Sequence, residues 1–458
     1  MKYCSQFYQV PKILFKRVSF FFFLSCLGII FTSCDWMGKD PAPPLPGERI
    51  SIMDYEGGLK SDPSLNDIAI EIPQAEINQE WSQIGGNAYN LMPPLELPQS
   101  LELDWSRSIG SGSSSSKRLI VDPIVAKGRI YTMDTSYVVS CFDFETGDLI
   151  WDVDVSQSDW TGMSLGGGIS FEDDIIFVTT AIGDVVALNF ETGQEIWRTS
   201  LHYPTRAAPT VSEGKVFVLT LNNTLEVLNG KTGEKIWSHA GATEIAGILG
   251  SASPAVRDGI VVVPYSSGEI VGLRAETGEI LWADNLVSLR QTEGLKGLAH
   301  IRAHPVIDEQ HVYAISHSGR MVALNLETGE RLWEQEIGGI SAPAVAGNFL
   351  FVISSQGELI CLEKVTGKVK WVKILSDFVA VPKSEDKPIK PQIHWIGPLL
   401  TQNALLVTGS NYETLQISPQ TGDLMGVIYS GEKVLIPPII ANKTLIFVTD
   451  NGYLKVLR

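Results

Sequence analysis

The sequence is short of positive charge, of cysteine and of long apolar runs. Its 458 residues carry 35 lysines and arginines against 52 acids, a formal charge of −17. The first 33 residues hold Lys2, Lys12, Lys16 and Arg17 and no acid, so the remainder is more acidic still. A body of that sign repels nucleic acid and bare anionic lipid, which argues against DNA or RNA as a partner. Cys4, Cys26 and Cys34 fall in the first 34 residues. Cys141 and Cys361 remain, in strand-like runs far apart in the chain, and read as buried free thiols rather than a disulfide. No Cys/His spacing of the metal-binding kind occurs, and no phosphate loop or nucleophile triad is marked.

Only one apolar run stands out. Val18 to Phe31 follows a basic stretch and is 14 residues long, too short for a membrane-spanning helix and right for a secretory signal. It ends in Phe31-Thr32-Ser33-Cys34, which resembles the lipobox of bacterial lipoproteins, with Phe31 where Leu is usual. The resemblance implies a signal peptide over 1–33 and lipidation of Cys34; an ordinary signal or an uncleaved anchor is the alternative. Asp35 after the Cys resembles the inner-membrane retention signal of enteric bacteria, which leaves the inner membrane open as a destination. Residues 34–80 carry Pro41, Pro43, Pro44 and Pro46 with scattered acids and little periodicity, the composition of a flexible tether.

What the chain has in abundance is one phrase. Phe144-Glu145-Thr146-Gly147-Asp148-Leu149-Ile150-Trp151 returns as Phe190 to Trp197. Further copies pair Gly233 with Trp237, Gly278 with Trp282, Gly329 with Trp333 and Gly367 with Trp371. A seventh, Thr421-Gly422, has Gly426 where the others have Trp. From Thr to Thr the intervals are 46, 40, 45, 51, 38 and 55 residues, the length of a four-stranded propeller blade. Asp143, Asn189, Asn229 and Asn325 suit Asx turns, Gly147 and Gly193 with their counterparts suit positive φ, and the Thr hydroxyl suits a free backbone group. The Trp offers a flat surface where blades meet, so Gly426 predicts a loose seventh interface.

After the seventh phrase, three more strand-like runs end at Arg458, and the missing fourth is available at Leu101 to Ser106, where Trp105 supplies the Trp. The expectation is an all-β, eight-bladed propeller of four-stranded antiparallel blades over 81–458, closed by N- and C-terminal segments sharing one blade. Gly166-Gly167-Gly168 then reads as backbone crowding near the axis. Trp81-Ser82-Gln83-Ile84-Gly85-Gly86-Asn87 is similar to the W-x-Q-x-G-G-N opening of pyrroloquinoline-quinone-repeat proteins and is expected to pack near the rim.

The repeats resemble that quinoprotein-like superfamily, which includes quinone dehydrogenases and the non-enzymatic BamB-type outer-membrane assembly lipoproteins. The dehydrogenases hold calcium and quinone with acids, amides, an Arg and a Trp, and many have adjacent cysteines; no Cys-Cys pair occurs here. His300, Arg302, His304, His311 and His317 are the nearest thing to a cluster, and they fall where other repeats have blade strands. The stronger resemblance, on the anchor, tether and bare ring, is to the BamB type. It implies no catalytic residues, no cofactor and no metal. It also implies a scaffold at the periplasmic face of the outer membrane, one copy within a hetero-complex, contacting a POTRA domain of a BamA-type barrel subunit and assisting nascent outer-membrane proteins. The family's contact stretches correspond to Ile248 and Leu249, and to His300 and Arg302, although Ile248 and Leu249 equally suit packing in their own blade. A periplasmic quinone dehydrogenase and a propeller for another envelope partner remain the alternatives.

Overall fold

In a computed structural model of the chain, the described residues are 59–156, 166–205, 207–242, 252–287, 300–379 and 392–458. They form eight four-stranded antiparallel sheets arranged as a propeller. In chain order the blades run Ile124–Asp154, Gly167–Ser200, Thr210–Ala240, Ala255–Asn285, Val306–Gln335, Ala344–Ile374 and Trp395–Tyr429, numbered here 1 to 7. Blade 8 holds Ile439–Ala441, Thr444–Val448 and Tyr453–Leu457, and its outer strand is Leu103–Ser108 from the other end of the chain. Leu103–Ser108 lies antiparallel to Tyr453–Leu457, with Trp105 opposite Val456. Each blade's middle strands are buried on both faces, which is why they read as nearly unbroken Val, Ile, Leu and Phe runs.

The repeated phrase makes the turn into each outer strand and the joint between blades. Asp143 accepts the backbone N–H groups of Glu145 and Thr146, both at 2.9 Å, and Asn189, Asn229 and Asn325 do the same in their turns. Gly147 takes φ +70°, and the Thr146 hydroxyl accepts the N–H of Asp148 at 3.2 Å. The turn then lies on the Trp of the preceding blade. A Cβ on Gly193 would stand 2.7 Å from the Trp151 ring, and Gly233, Gly278, Gly329 and Gly367 press likewise on Trp197, Trp237, Trp282 and Trp333. Each indole N–H donates across the joint, Trp197 to the carbonyl of Gly230 at 2.9 Å and Trp282 to that of Leu326 at 2.7 Å.

This arrangement sets up a direct comparison. Gly193 and Gly214 both have φ near +70°, but a Cβ on Gly214 meets nothing within 4 Å. Gly214→Ala should cost about 1 kcal/mol of backbone strain, and Gly193→Ala about 2–4 kcal/mol because the methyl also collides with an indole. Urea unfolding of the two variants side by side checks the difference.

The seventh joint departs from expectation. A Trp at 426 would dock on a Thr-Gly turn of blade 8, and blade 8 has none, because the gap between its last two strands is where the two chain ends meet. Gly426 therefore marks a position without a partner, and the Gln416 side chain covers it, with Oε1 2.6 Å from where a Cβ would stand. The Trp105 joint is also altered. Arg458 donates to the Phe144 carbonyl at 2.8 Å, occupying the acceptor that corresponds to those used by the other indoles, and Trp105 Nε1 is left buried without a partner.

Leu59, the first described residue, already packs against the ring, inside the span expected as tether. Asp62 donates its N–H to the Val369 carbonyl at 2.7 Å and forms an ion pair with Lys368, while Ile70 is buried in the core shared by blades 6 and 7. The apolar residues Leu65, Ile70 and Ala75 anchor this stretch, and each is buried.

Candidate functional site at the ring axis

From Asn78 the chain runs around one mouth of the central channel and bonds to the innermost strands as it passes. Asn78 accepts from Asn442 of blade 8 at 2.7 Å, and Trp81 exchanges two backbone bonds with Val125 of blade 1 at 2.7 and 2.9 Å. Ser82 accepts from Phe171 of blade 2, and the buried Gln83 amide bonds both the N–H and the carbonyl of Val211 in blade 3. Ala88 and Tyr89 accept from Val256 and Ile307 in blades 4 and 5, and Leu95 bonds Leu400 and Gln402 in blade 7. The W-x-Q-x-G-G-N stretch is thus part of a strap tied to seven blades, not rim packing. Gly85 and Gly86, at φ +68° and +88°, turn it inward over the axis.

Above this strap is a cavity of about 230 Å³. Trp81, Ile84, Leu91 and Met92 line it from the strap, and the segments leading into the inner strands supply its walls. Those segments carry a residue before proline that is small in blades 3, 4 and 6, as Ala208, Ser253 and Ala342. Crowding explains the size limit: a Cβ on Gly168 would stand 2.4 Å from Ala208 Cα. Blades 1 and 5 break the rule, with Asp122 before Pro123 and His304 before Pro305. Both side chains line the cavity, with Arg302.

Burial governs the chemistry of this trio. It pushes the Asp122 carboxyl up to about 7, opposed by its own backbone N–H and by the Arg302 charge. It pushes the His304 imidazole down to about 4, so the ring is neutral at pH 7. His304 Nδ1 accepts the Ser253 N–H at 2.7 Å, which places the ring proton on Nε2. Because folded Asp122 holds its proton to higher pH than the unfolded side chain does, the folded state loses stability as pH rises from about 4 through about 7. Asp122→Asn should therefore raise stability at pH 8 by on the order of 1–3 kcal/mol and change little at pH 4. Thermal unfolding at the two pH values measures it.

The other residues singled out in the sequence are dispersed. His300 is 4% exposed, and its carbonyl accepts the His317 N–H at 3.1 Å, so its side chain is not part of an exposed face. Arg302 faces the axis. His311 stacks on Tyr313 with ring centroids 6.2 Å apart. Among the described residues no three His, Cys, Asp or Glu side chains converge on a metal position. Cys141 and Cys361 are free and buried, and burial raises both thiols. Cys34, Ile248 and Leu249 lie outside the described residues.

The family model for outer membrane protein assembly factor BamB matches residues 135–373, more than half of the chain. The chain belongs to the BamB family. The BamB of Yersinia pestis is 27% identical over 286 residues, covering 61% of this chain and 72% of that one. An uncharacterised protein of Rickettsia prowazekii is 28% identical over 267 residues, 58% of this chain and 64% of its own length. The crystal structure of BamB from Moraxella catarrhalis superposes with a TM-score of 0.65 at 17% identity, covering 78% of this chain and 100% of that one. The quinohemoprotein alcohol dehydrogenase of Comamonas testosteroni superposes with a TM-score of 0.63 at 13% identity, over 84% and 81% of the two chains. At such identities these likenesses show the propeller fold. Among the described residues, the axis of this BamB-family ring offers one carboxyl and one guanidinium and no converging set of metal-binding side chains, a lining that does not fit a calcium-held quinone.

Proposed function

We propose that this protein is a non-enzymatic scaffold lipoprotein of outer-membrane β-barrel assembly, holding a BamA-type barrel subunit by a POTRA domain and assisting insertion of outer-membrane proteins. The observation that carries the reading is the BamB family match, on a chain whose described residues are one propeller with its strap. In this reading residues 1–33 are a signal peptide, Cys34 carries the lipid, and the chain beyond it tethers the ring to the periplasmic face of the outer membrane. The stretch holding Ile248 and Leu249, which lies outside the described residues, is the proposed partner contact. His300 and Arg302 contribute to it less directly, since one is buried and the other faces the axis.

Affinity purification from gently solubilised envelope should recover a BamA-type barrel protein, and Leu249→Asp should lower that recovery at least several-fold while leaving the unfolding midpoint in place. Recovery equal to that of an unrelated lipoprotein bait would overturn the proposal. Cys34→Ala should move the protein from the membrane to the soluble periplasmic fraction; continued membrane association would argue for an uncleaved helix.

A further inference from the structure

The axial cavity contains two ionisable side chains that have no ion-pair partner among the described residues. Asp122 enters from blade 1 and Arg302 from the segment before blade 5, which is the opposite side of an eight-bladed ring. Each feels the other's charge, yet neither forms an ion pair with any described residue, and the Asp122 carboxyl is met by its own backbone N–H. Both retain only part of their surface, and the walls between them are apolar, with Leu91, Ile120, Leu399 and Ile436 among them. Unpaired charge in such surroundings is costly unless something that enters the cavity completes it. Elsewhere the ring avoids that cost by keeping the residue before proline small, as at Ala208 and Ala342.

The donors and acceptors decide what fits. Arg302 offers a planar fork that matches a carboxylate. His304 adds a second donor, because Nδ1 is already occupied by Ser253 and Nε2 carries the proton. Among the described residues lining the cavity, Asp122 alone could receive a cation, and burial drives it toward the neutral acid, which is itself a donor. We propose that this cavity is a binding site for a small monocarboxylate with an apolar body, its carboxylate held by the Arg302 guanidinium and the His304 Nε2–H beside Asp122, and its body lying on the aliphatic wall.

The occupied state requires Asp122 protonated, since one Arg302 guanidinium neutralises a single carboxylate in this apolar cavity. Arg302 and His304 are the other titratable groups lining the cavity among the described residues, and burial, followed by the nearby Arg302 charge, pushes the His317 imidazole down. His304, at about 4, stays neutral throughout the range that matters. With Asp122 titrating at about 7, affinity for a carboxylate should rise about tenfold between pH 8 and pH 6.

Titration calorimetry on the full-length protein with hexanoate, hexanol and hexylammonium tests this. Saturable one-to-one binding of hexanoate alone, about tenfold tighter at pH 6 than at pH 8, is the expected result. Arg302→Met should weaken it at least tenfold, and Asp122→Asn should bind equally at both pH values. If Arg302→Met does not fold, Arg302→Lys keeps the charge without the fork and should weaken binding several-fold. Absence of saturable hexanoate binding at pH 6, hexylammonium binding as tight as hexanoate, or unchanged affinity in either Arg302 variant would each overturn the proposal.

Discussion

Trp105→Ala should destabilise the ring by about 3–5 kcal/mol, the usual cost of emptying a buried Trp site. Trp105 is 7% exposed and is held between blade 8 and the blade 1 turn, where a Cβ on Gly147 would stand 2.7 Å from its ring. Like the equivalent tryptophans, Trp105 joins blades that the chain also connects, but its own strand is the one outer strand that no turn ties to its blade. Leu103–Ser108 is held there by pairing with Tyr453–Leu457, by backbone bonds between Glu102 and Arg458 at 2.8 and 3.0 Å, and by the Arg458–Asp104 ion pair at 2.8 Å. A weakened closure also gives up the entropic advantage of a ring with no open edge. Unfolding followed by urea should therefore become less cooperative, with a lower m-value, while Trp197→Ala should lower the midpoint and leave the m-value near that of the parent. A loss under about 1 kcal/mol for Trp105→Ala would show that the shared blade does not control closure.

Trp81→Ala should have the second large effect, again about 3–5 kcal/mol. Trp81 is 6% exposed, belongs to the core that joins blades 7, 8 and 1, and forms the floor of the axial cavity. Its removal both empties that core and loosens the strap where it bonds Val125. Gln83→Ala separates the two contributions, because it leaves the core intact and strips both partners from the buried backbone of Val211. That variant should cost about 2–4 kcal/mol, since each orphaned buried group costs about 1–3 kcal/mol. Chemical denaturation of the two single variants and the double variant would give their coupling. If Gln83→Ala left stability unchanged, the strap would be a passenger on the ring rather than part of its fold.

The ring and its closure were legible because they are written in side chains. A turn built on a positive-φ glycine leaves Thr-Gly seven times, the Trp follows four residues later in six of them, an Asx acceptor precedes it in four, and Trp105 stands in at the shared blade. Apart from W-x-Q-x-G-G-N the strap left little mark, because most of its bonds are backbone to backbone; few of its side chains reach the blades, Asn78, Glu80, Gln83 and Asn90 among them. The packing at Leu59 was hidden for a related reason: residues lying across a ring need neither helical nor strand periodicity. Gly426 was legible as an exception but not its meaning, which depends on blade 8 having no turn to dock. The axial trio did leave a signal. A charged or imidazole residue before proline, where other repeats have Ala or Ser, marks Asp122 and His304, but the mark means something only once those segments are known to crowd one axis.

Direct binding tests best whether this ring is a scaffold for a barrel-assembly subunit. The purified protein should bind the isolated POTRA domains of the BamA-type subunit from the same bacterium, one to one and saturably, and Leu249→Asp should weaken that binding at least tenfold. A titration showing no binding at concentrations up to the solubility of either partner would contradict it.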